Sequence, residues 1–285
     1  MTDRCLPLIV YVLENFWLNN SERLDLDKDI VIRLSYEEEQ KDIEKFPRSS
    51  FMLSRNCFLM EFYMDNSGSR IDQWPLWSGL FALRLVKPGG VGYNKPLVNP
   101  RGYIMTGWRA DDVSNTFLLE SEDIPTVQTI YGQLLKAKRD LQFQNILRRF
   151  NASYNGPFYK RLEDLMAALE ALLIFDMKVR AKNSTIQQRL ERLLDTETED
   201  LNIMRNTMNV AYGARNCILH EARILDTELL KEVCGELGMP IIHVFNLLSA
   251  VEEYARLAIR KWGAMLADER YLNSSTIRKS LYGDS

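Results

Sequence analysis

The chain has only two histidines in 285 residues, His220 and His243, and four cysteines, Cys5, Cys57, Cys217 and Cys234. No two cysteines form a CxxC pair. With so few histidines, that leaves no ligand set for a structural zinc, and no metal or cofactor is expected. Scattered cysteines fit reduced thiols in a cytosolic protein. Long apolar runs are also missing. "LPLIVYVL" ends at Glu14 and is too short to span a bilayer. It lacks the basic start and small-residue cleavage site of a signal peptide, and it reads as a buried strand. Positive charge is not in excess, with 36 Lys+Arg against 39 Asp+Glu and a net charge of −3. That balance argues against a general nucleic-acid binder. No internal repeat or low-complexity segment is present.

What is there is a globular composition, 46% apolar and 26% charged, enough for a full core. The texture divides near residue 122. Residues 1–122 carry 14 basic against 18 acidic residues, and residues 123–285 carry 22 against 21. Neither half is basic, so any nucleic-acid contact must come from local clusters. The first half reads as strands: "DIVIRLSY" (29–36), "SFMLSRNCFLMEFYM" (50–64), "GLFALRLV" (79–86), "GYIMTGW" (102–108) and "NTFLLES" (115–121). Turn chemistry separates them. "KPGGVG" lacks the Lys-Ser/Thr of a P-loop and reads as a plain loop. Trp74, Trp77 and Trp108 read as packing residues.

From Asp123 the apolar spacing turns helical. One run is "DIPTVQTIYGQLLKAKRDLQFQNILRRF", with Asp123 as N-cap and Pro125 in the first turn. A break at "NGP" (155–157) follows. Then come "FYKRLEDLMAALEALLIFDMKVRA", "STIQQRLERLL" capped by Ser184 or Thr185, a helix over 199–223, one from about 226 to 237, and one from Ile241. The predicted class is α+β, a β-rich domain over 1–122 followed by an all-α bundle over 123–285.

The stretch "YGARNCILHEARI" (212–224) holds His220. On a helix, Arg205, Asn209, Tyr212 and His220 lie at about −20°, +20°, −40° and +40° from Asn216. Ile203, Ala211, Ala214, Ile218 and Leu225 take the opposite, core-like face. The stripe contains no lysine and no acid, unlike an ordinary solvated face, and its residue types suit phosphate and bases. Arg215 lies about 100° from Asn216. It joins the stripe by reaching round or through a helix break, or it orients the site from the flank. Glu170, inside the apolar run "MAALEALLIF", calls for a partner. We expect Glu170 to pair with Arg215 across two packed helices; the alternative is a carboxylate at a helix edge facing water. "SRNCF" (54–58) repeats the Arg-Asn-Cys triplet without a histidine, so the triplet alone carries nothing. His243, in "MPIIHVFNLL", reads as a satisfied core histidine.

"RNCILH" resembles the Arg-x(4–6)-His motif of HEPN domains, helical bundles of many prokaryotic toxin and defence ribonucleases. The "ALEALL" helix followed by "YGARNCILH" is similar to the Apea-like HEPN subgroup, over about residues 123–285. The resemblance implies metal-independent RNA cleavage by Arg215, Asn216 and His220, with Glu170, Tyr212, Asn209 and Arg205 in support. A histidine can exchange a proton with a ribose 2′-OH or a leaving 5′-oxygen, and an arginine can stabilise the phosphate charge. It implies a homodimer with two motifs facing one cleft. Basic residues offered for that cleft are Arg148, Arg149, Arg205 and Arg223. Some HEPN toxins carry a tyrosine two residues after the histidine, which a partner nucleotidyltransferase modifies; Ala222 stands there, a departure from the family pattern, so neither that mode of regulation nor that partner is expected. Residues 1–122 would sense a trigger or restrain the ribonuclease, in the cytoplasm and away from membranes, in a toxin, abortive-infection or anti-phage setting. The rival expectations are a non-catalytic module that binds RNA or nucleotide and a dimerisation domain with a degenerate motif.

Overall fold

The structure is a computed structural model. It describes residues 9–14, 16–37, 58–63, 72–89, 91–97, 117–154, 158–174, 182–195 and 198–283. Outside these lie Cys5, Cys57, the expected strand at 102–108 with Trp108, most of "SRNCF", the break at 155–157, and residues 175–181 of the expected second helix. The chain divides into two compact units, Met1–Leu135 and Lys136–Ser285.

The first unit holds a five-stranded antiparallel sheet in the order β3-β4-β5-β1-β6. Its strands are β1 (Ile9–Glu14), β3 (Arg23–Asp25), β4 (Ile30–Leu34), β5 (Phe58–Phe62) and β6 (Gly92–Leu97). β2 (Phe16–Leu18) pairs in parallel with β7 (Phe117–Leu119). β5 sits centrally and is buried along its length. Ile30 pairs with Phe62 and Ile32 with Met60, so these apolar residues share one face. Glu61 lies on the other face, where it accepts hydrogen bonds from Arg33 at 2.6 Å and from the Tyr63 hydroxyl at 2.7 Å. That pairing meets the cost of burying a carboxylate. Pro96 is placed on β6, an edge strand, where its missing N–H breaks no central ladder.

"GLFALRLV" is a helix, not the expected strand: α1 runs Trp74–Val86. The residues are apolar on every side because the helix is buried nearly all round. Gly79 marks the approach to the sheet; a Cβ there would stand 3.2 Å from Leu26 and 3.4 Å from Met60. Arg84, fully buried, donates to the Val91 carbonyl. "KPGGVG" connects α1 to β6, with Gly89 at φ +135°. Trp74 is buried and donates to Leu134 O at 3.0 Å, and Trp77 stacks on Phe81, so both are packing residues as expected.

The helical run opening at Asp123 splits in two. α2 spans Ile124–Lys136, and Asp123 itself belongs to a short 3-10 turn before it. α3 (Leu141–Ala152) starts afresh, with Asp140 accepting from Phe143 N as its N-cap. The second unit continues with α4 (Phe158–Leu173), α5 (Lys182–Leu194), α6 (Thr198–Glu221), α7 (Thr227–Glu236), α8 (Val244–Ala267) and α9 (Ser274–Tyr282). Ser184 and Thr185 therefore lie inside α5, not at its cap. α9 is a helix that the periodicity did not mark. α4 packs against α3, α5, α6 and α8, so it is central. Among the described residues no helix is long and apolar enough to cross a membrane. The described residues are mostly helical, and the strands among them lie in the N-terminal region.

Candidate functional site

α6 is one uninterrupted helix through the whole motif. Arg215 therefore does not join the Asn216–His220 face through a break. It points from the flank to α4, where its Nη1 stands 3.0 Å from Glu170 Oε1 and its Nη2 donates to Oε2 at 3.2 Å. The expected ion pair is formed, and both side chains are mostly buried, at 16% and 18% exposure. The Nη2–Oε2 contact is a hydrogen bond; the Nη1–Oε1 contact is an ion pair only, and Glu170 Oε1 is buried with no hydrogen-bond partner among the described residues. The Tyr212 ring lies 6.0 Å from Arg215 Cζ, within reach of a cation–π contact. Arg215 Nε is buried and has no hydrogen-bond partner among the described residues.

The polar stripe is divided. Asn209 Oδ1 accepts from Asn183 Nδ2 at 2.9 Å and from Gln187 Nε2 at 2.7 Å, both on α5. Arg205 pairs with Glu191, also on α5, at 2.7 Å. The two expected supporting residues Arg205 and Asn209 thus tie α6 to α5. These contacts give an antiparallel register, with 187 opposite 209 and 191 opposite 205. By that register Lys182, the first residue of α5, stands about level with Ala214. Asn216 and His220 lie beyond it. Asn216 is half-buried, His220 is exposed, and neither side chain makes a hydrogen bond among the described residues. One helical turn apart, they share a face.

The buried face of α6 contains Ala211, Ala214 and Ile218 as expected, together with Met204, Met208 and Val210. Ile203 does not belong to it, being 62% exposed near the start of the helix. Leu225 is buried but follows the helix. Gly213 sits where α7 crosses α6; a Cβ there would come within 2.8 Å of Val233. Ala222 closes α6 at φ +53°, a left-handed conformation that an alanine adopts only under constraint. Burial pushes the Cys217 thiol up, with Glu221 adding to it. That opposes thiolate formation and use of Cys217 as a nucleophile.

Of the basic residues offered for a cleft, Arg149 pairs with Asp164 at 3.5 Å and Arg223 with Glu232 at 2.7 Å. Arg148 donates to Asn145. His243 is exposed, not a core residue: it precedes α8 as N-cap and stacks on Phe245. The apolar neighbours of "MPIIHVF" that implied a core lie partly at the surface, with Ile241 61% and Phe245 48% exposed.

Sequence reasoning passed over a buried charge cluster in the second unit. Glu252 accepts from the Tyr154 hydroxyl at 2.7 Å and from Arg161, and Arg256 pairs with Glu253. Glu252 and Arg256 are 1% and 2% exposed. Burial pulls the Arg256 guanidinium below its usual range. The signal was present in "SAVEEYARLAI", where Glu252 and Arg256 fall on the apolar face, as Glu170 does in its own helix. Among the described residues no group of three or more His, Cys, Asp or Glu is placed to hold a metal ion.

Comparison with protein-family models, with curated proteins and with solved structures finds no match for this chain.

Proposed function

We propose that the second unit is a helical nuclease of the HEPN class. More particularly, we propose an Apea-like endoribonuclease that cuts RNA without a metal, through Arg215, Asn216 and His220. One observation carries this reading. Arg215 is held to Glu170 by an ion pair that includes one hydrogen bond, while Asn216 and His220, on the same helix, emerge past α5 with no hydrogen bond among the described residues. The helix thus carries an arginine held in orientation and, about 140° round its axis, an exposed histidine, two residue types suited to phosphate chemistry.

In this reaction His220 takes the proton of a ribose 2′-OH. The 2′-oxygen bonds to phosphorus as the bond to the 5′-oxygen breaks. A second His220, from another copy of the chain, returns a proton to the leaving 5′-oxygen. The products are a 2′,3′-cyclic phosphate and a 5′-hydroxyl. Glu170 offsets the charge of Arg215, so the guanidinium acts through directed N–H donors rather than as a free cation. Asn216 holds a phosphate oxygen or the imidazole. The strand-containing first unit would sense a trigger or restrain the nuclease.

A second reading has its own observation. Arg205 and Asn209 are engaged by α5, which leaves a shorter polar face than the whole stripe. A short face suits a module that binds RNA or nucleotide without cutting it, or a dimerisation surface. End-labelled single-stranded RNA incubated in EDTA with the wild type, His220→Ala and Arg215→Ala separates the two. Cleavage by the wild type alone, leaving cyclic phosphate ends, is expected. RNA bound but intact, with the full chain and with residues 136–285 alone, would replace the ribonuclease by the binding module.

A further inference from the structure

His220 stands in the last turn of α6, and the backbone just past it is strained. Among the described residues three non-glycine residues have positive φ: Asn20, Asp195 and Ala222. Asparagine and aspartate enter the left-handed region readily, because their short polar side chains bond locally; alanine has no such compensation. A conformation of this kind persists only where the surroundings over-determine it. Something beyond Ala222 itself must therefore hold it at φ +53°.

The hold comes from α7. Arg223 follows Ala222 directly, and its Nη1 donates to Glu232 Oε2 at 2.7 Å. Its backbone N–H donates to Cys217 O at 3.5 Å, back across the end of α6. Glu232 adjoins Val233, which is seated so close to α6 that a Cβ on Gly213 would come within 2.8 Å of it. Two residues beyond Arg223, Leu225 is buried. Asp226 then caps α7, accepting from Leu229 N at 2.8 Å. The chain is thus pinned on the far side of Ala222 at Arg223, Leu225 and Asp226. Turning Ala222 out of the left-handed region would redirect Arg223 away from Glu232.

We propose that Arg223 and Glu232 are positioning residues: through them α7 clamps the strained end of α6 and fixes the orientation of His220. The proposal rests on the ribonuclease reading above, in which His220 moves the proton. Both side chains of the pair are partly exposed, at 31% and 52%, so its contribution to global stability is small. Its effect is local, because one turn of helix and not the fold depends on it. Fraying of that turn would take His220 out of line with the reacting atoms, which slows the chemical step rather than weakening RNA binding. Ala222→Gly removes the need for the clamp, since glycine enters the left-handed region without a Cβ penalty and is the usual residue just past a helix end.

The test compares the full chain as wild type, Glu232→Ala, Glu232→Ala with Ala222→Gly, and Glu228→Ala. The last is the control: it removes the same charge from α7 and breaks the Lys231–Glu228 pair at 2.7 Å. Amide hydrogen exchange read by NMR follows Leu219, His220 and Glu221, against Met208, Asn209 and Val210 in the middle of α6. In Glu232→Ala the last-turn amides should exchange at least about fivefold faster while the middle ones are unchanged. The kcat for RNA cleavage should fall at least about fivefold at the KM of the control. Adding Ala222→Gly should bring both to within about twofold of wild type, and Glu228→Ala should alter neither. A merely structural role would instead raise exchange evenly along α6 and leave kcat per folded chain as it was. Unchanged or uniform exchange in Glu232→Ala, or no recovery with Ala222→Gly, overturns the clamp. An active wild type whose kcat survives Glu232→Ala, with the last turn loosened, overturns the positioning role. A wild type that cuts no RNA overturns the ribonuclease reading and the positioning role with it, and the exchange pattern then still decides whether the clamp exists.

Discussion

Glu170 shows how much rests on a single side chain. It interrupts an apolar helix, and it is held there because Arg215 reaches it with two nitrogens. Glu170→Gln keeps the shape and removes the charge, leaving a mostly buried guanidinium without its counter-ion. Breaking such a pair by removing one partner costs about 3 kcal/mol when fully buried, and less here because some water reaches both groups. The expected loss is about 1–2 kcal/mol in urea unfolding. Arg215→Met in the same chain should recover part of it, since the pair is then removed together and no charge is left alone. Equal stability of wild type and Glu170→Gln would show that the contact does not hold α4 to α6. At the same scale, the ion pair was readable from sequence, because a carboxylate in "MAALEALLIF" has few affordable fates. The surface position of His243 was not, because apolar neighbours in sequence do not reveal which of them the chain leaves uncovered.

Elements are placed by features that single-helix periodicity does not contain. The stripe Arg205–Asn209–Tyr212–Asn216–His220 was correctly laid on one face of α6. Its division was invisible, because the amides and carboxylate that occupy its first half come from α5. α1 was misread because an apolar run buried on all sides has no helical period to detect, although Pro75 in its first turn was a usable start signal. The break between α2 and α3 was also marked, by Asp140 as an N-cap inside an otherwise helical pattern. Gly213 belongs to the same scale, since what it fits is another helix. Alanine in a helix normally gains about 1 kcal/mol over glycine. At Gly213 the added methyl would meet Val233 at 2.8 Å, and overpacking of that kind costs about 1–3 kcal/mol. Gly213→Ala should therefore destabilise or at best break even, and Val233→Ala should be less harmful in its presence than alone. A double-mutant cycle in urea reads this directly. Additive effects would mean that α7 does not press on α6 at that point.

At the scale of the whole molecule, chemistry asks for more than one chain holds. Each chain has a single exposed histidine in its motif, and the proposed cleavage needs a base and an acid in one turnover. The proposed closed pair of chains, related by a two-fold axis, would supply both. The consequence is a dependence on partnership that a complete single-chain site would not show. Wild type mixed with an about tenfold excess of His220→Ala, allowed to exchange subunits, should lose activity per wild-type chain by about tenfold, because random pairing leaves few wild-type pairs. Arg215→Ala in the same excess should act likewise if both copies of the motif serve one cleft. Dilution should lower specific activity once the concentration falls below the dissociation constant of the pair, and sedimentation should locate that constant independently. Activity that ignores both the excess variant and dilution would mean that one chain carries base and acid together. The second group would then have to be sought among the residues around Arg215, with the Tyr212 hydroxyl the first to remove.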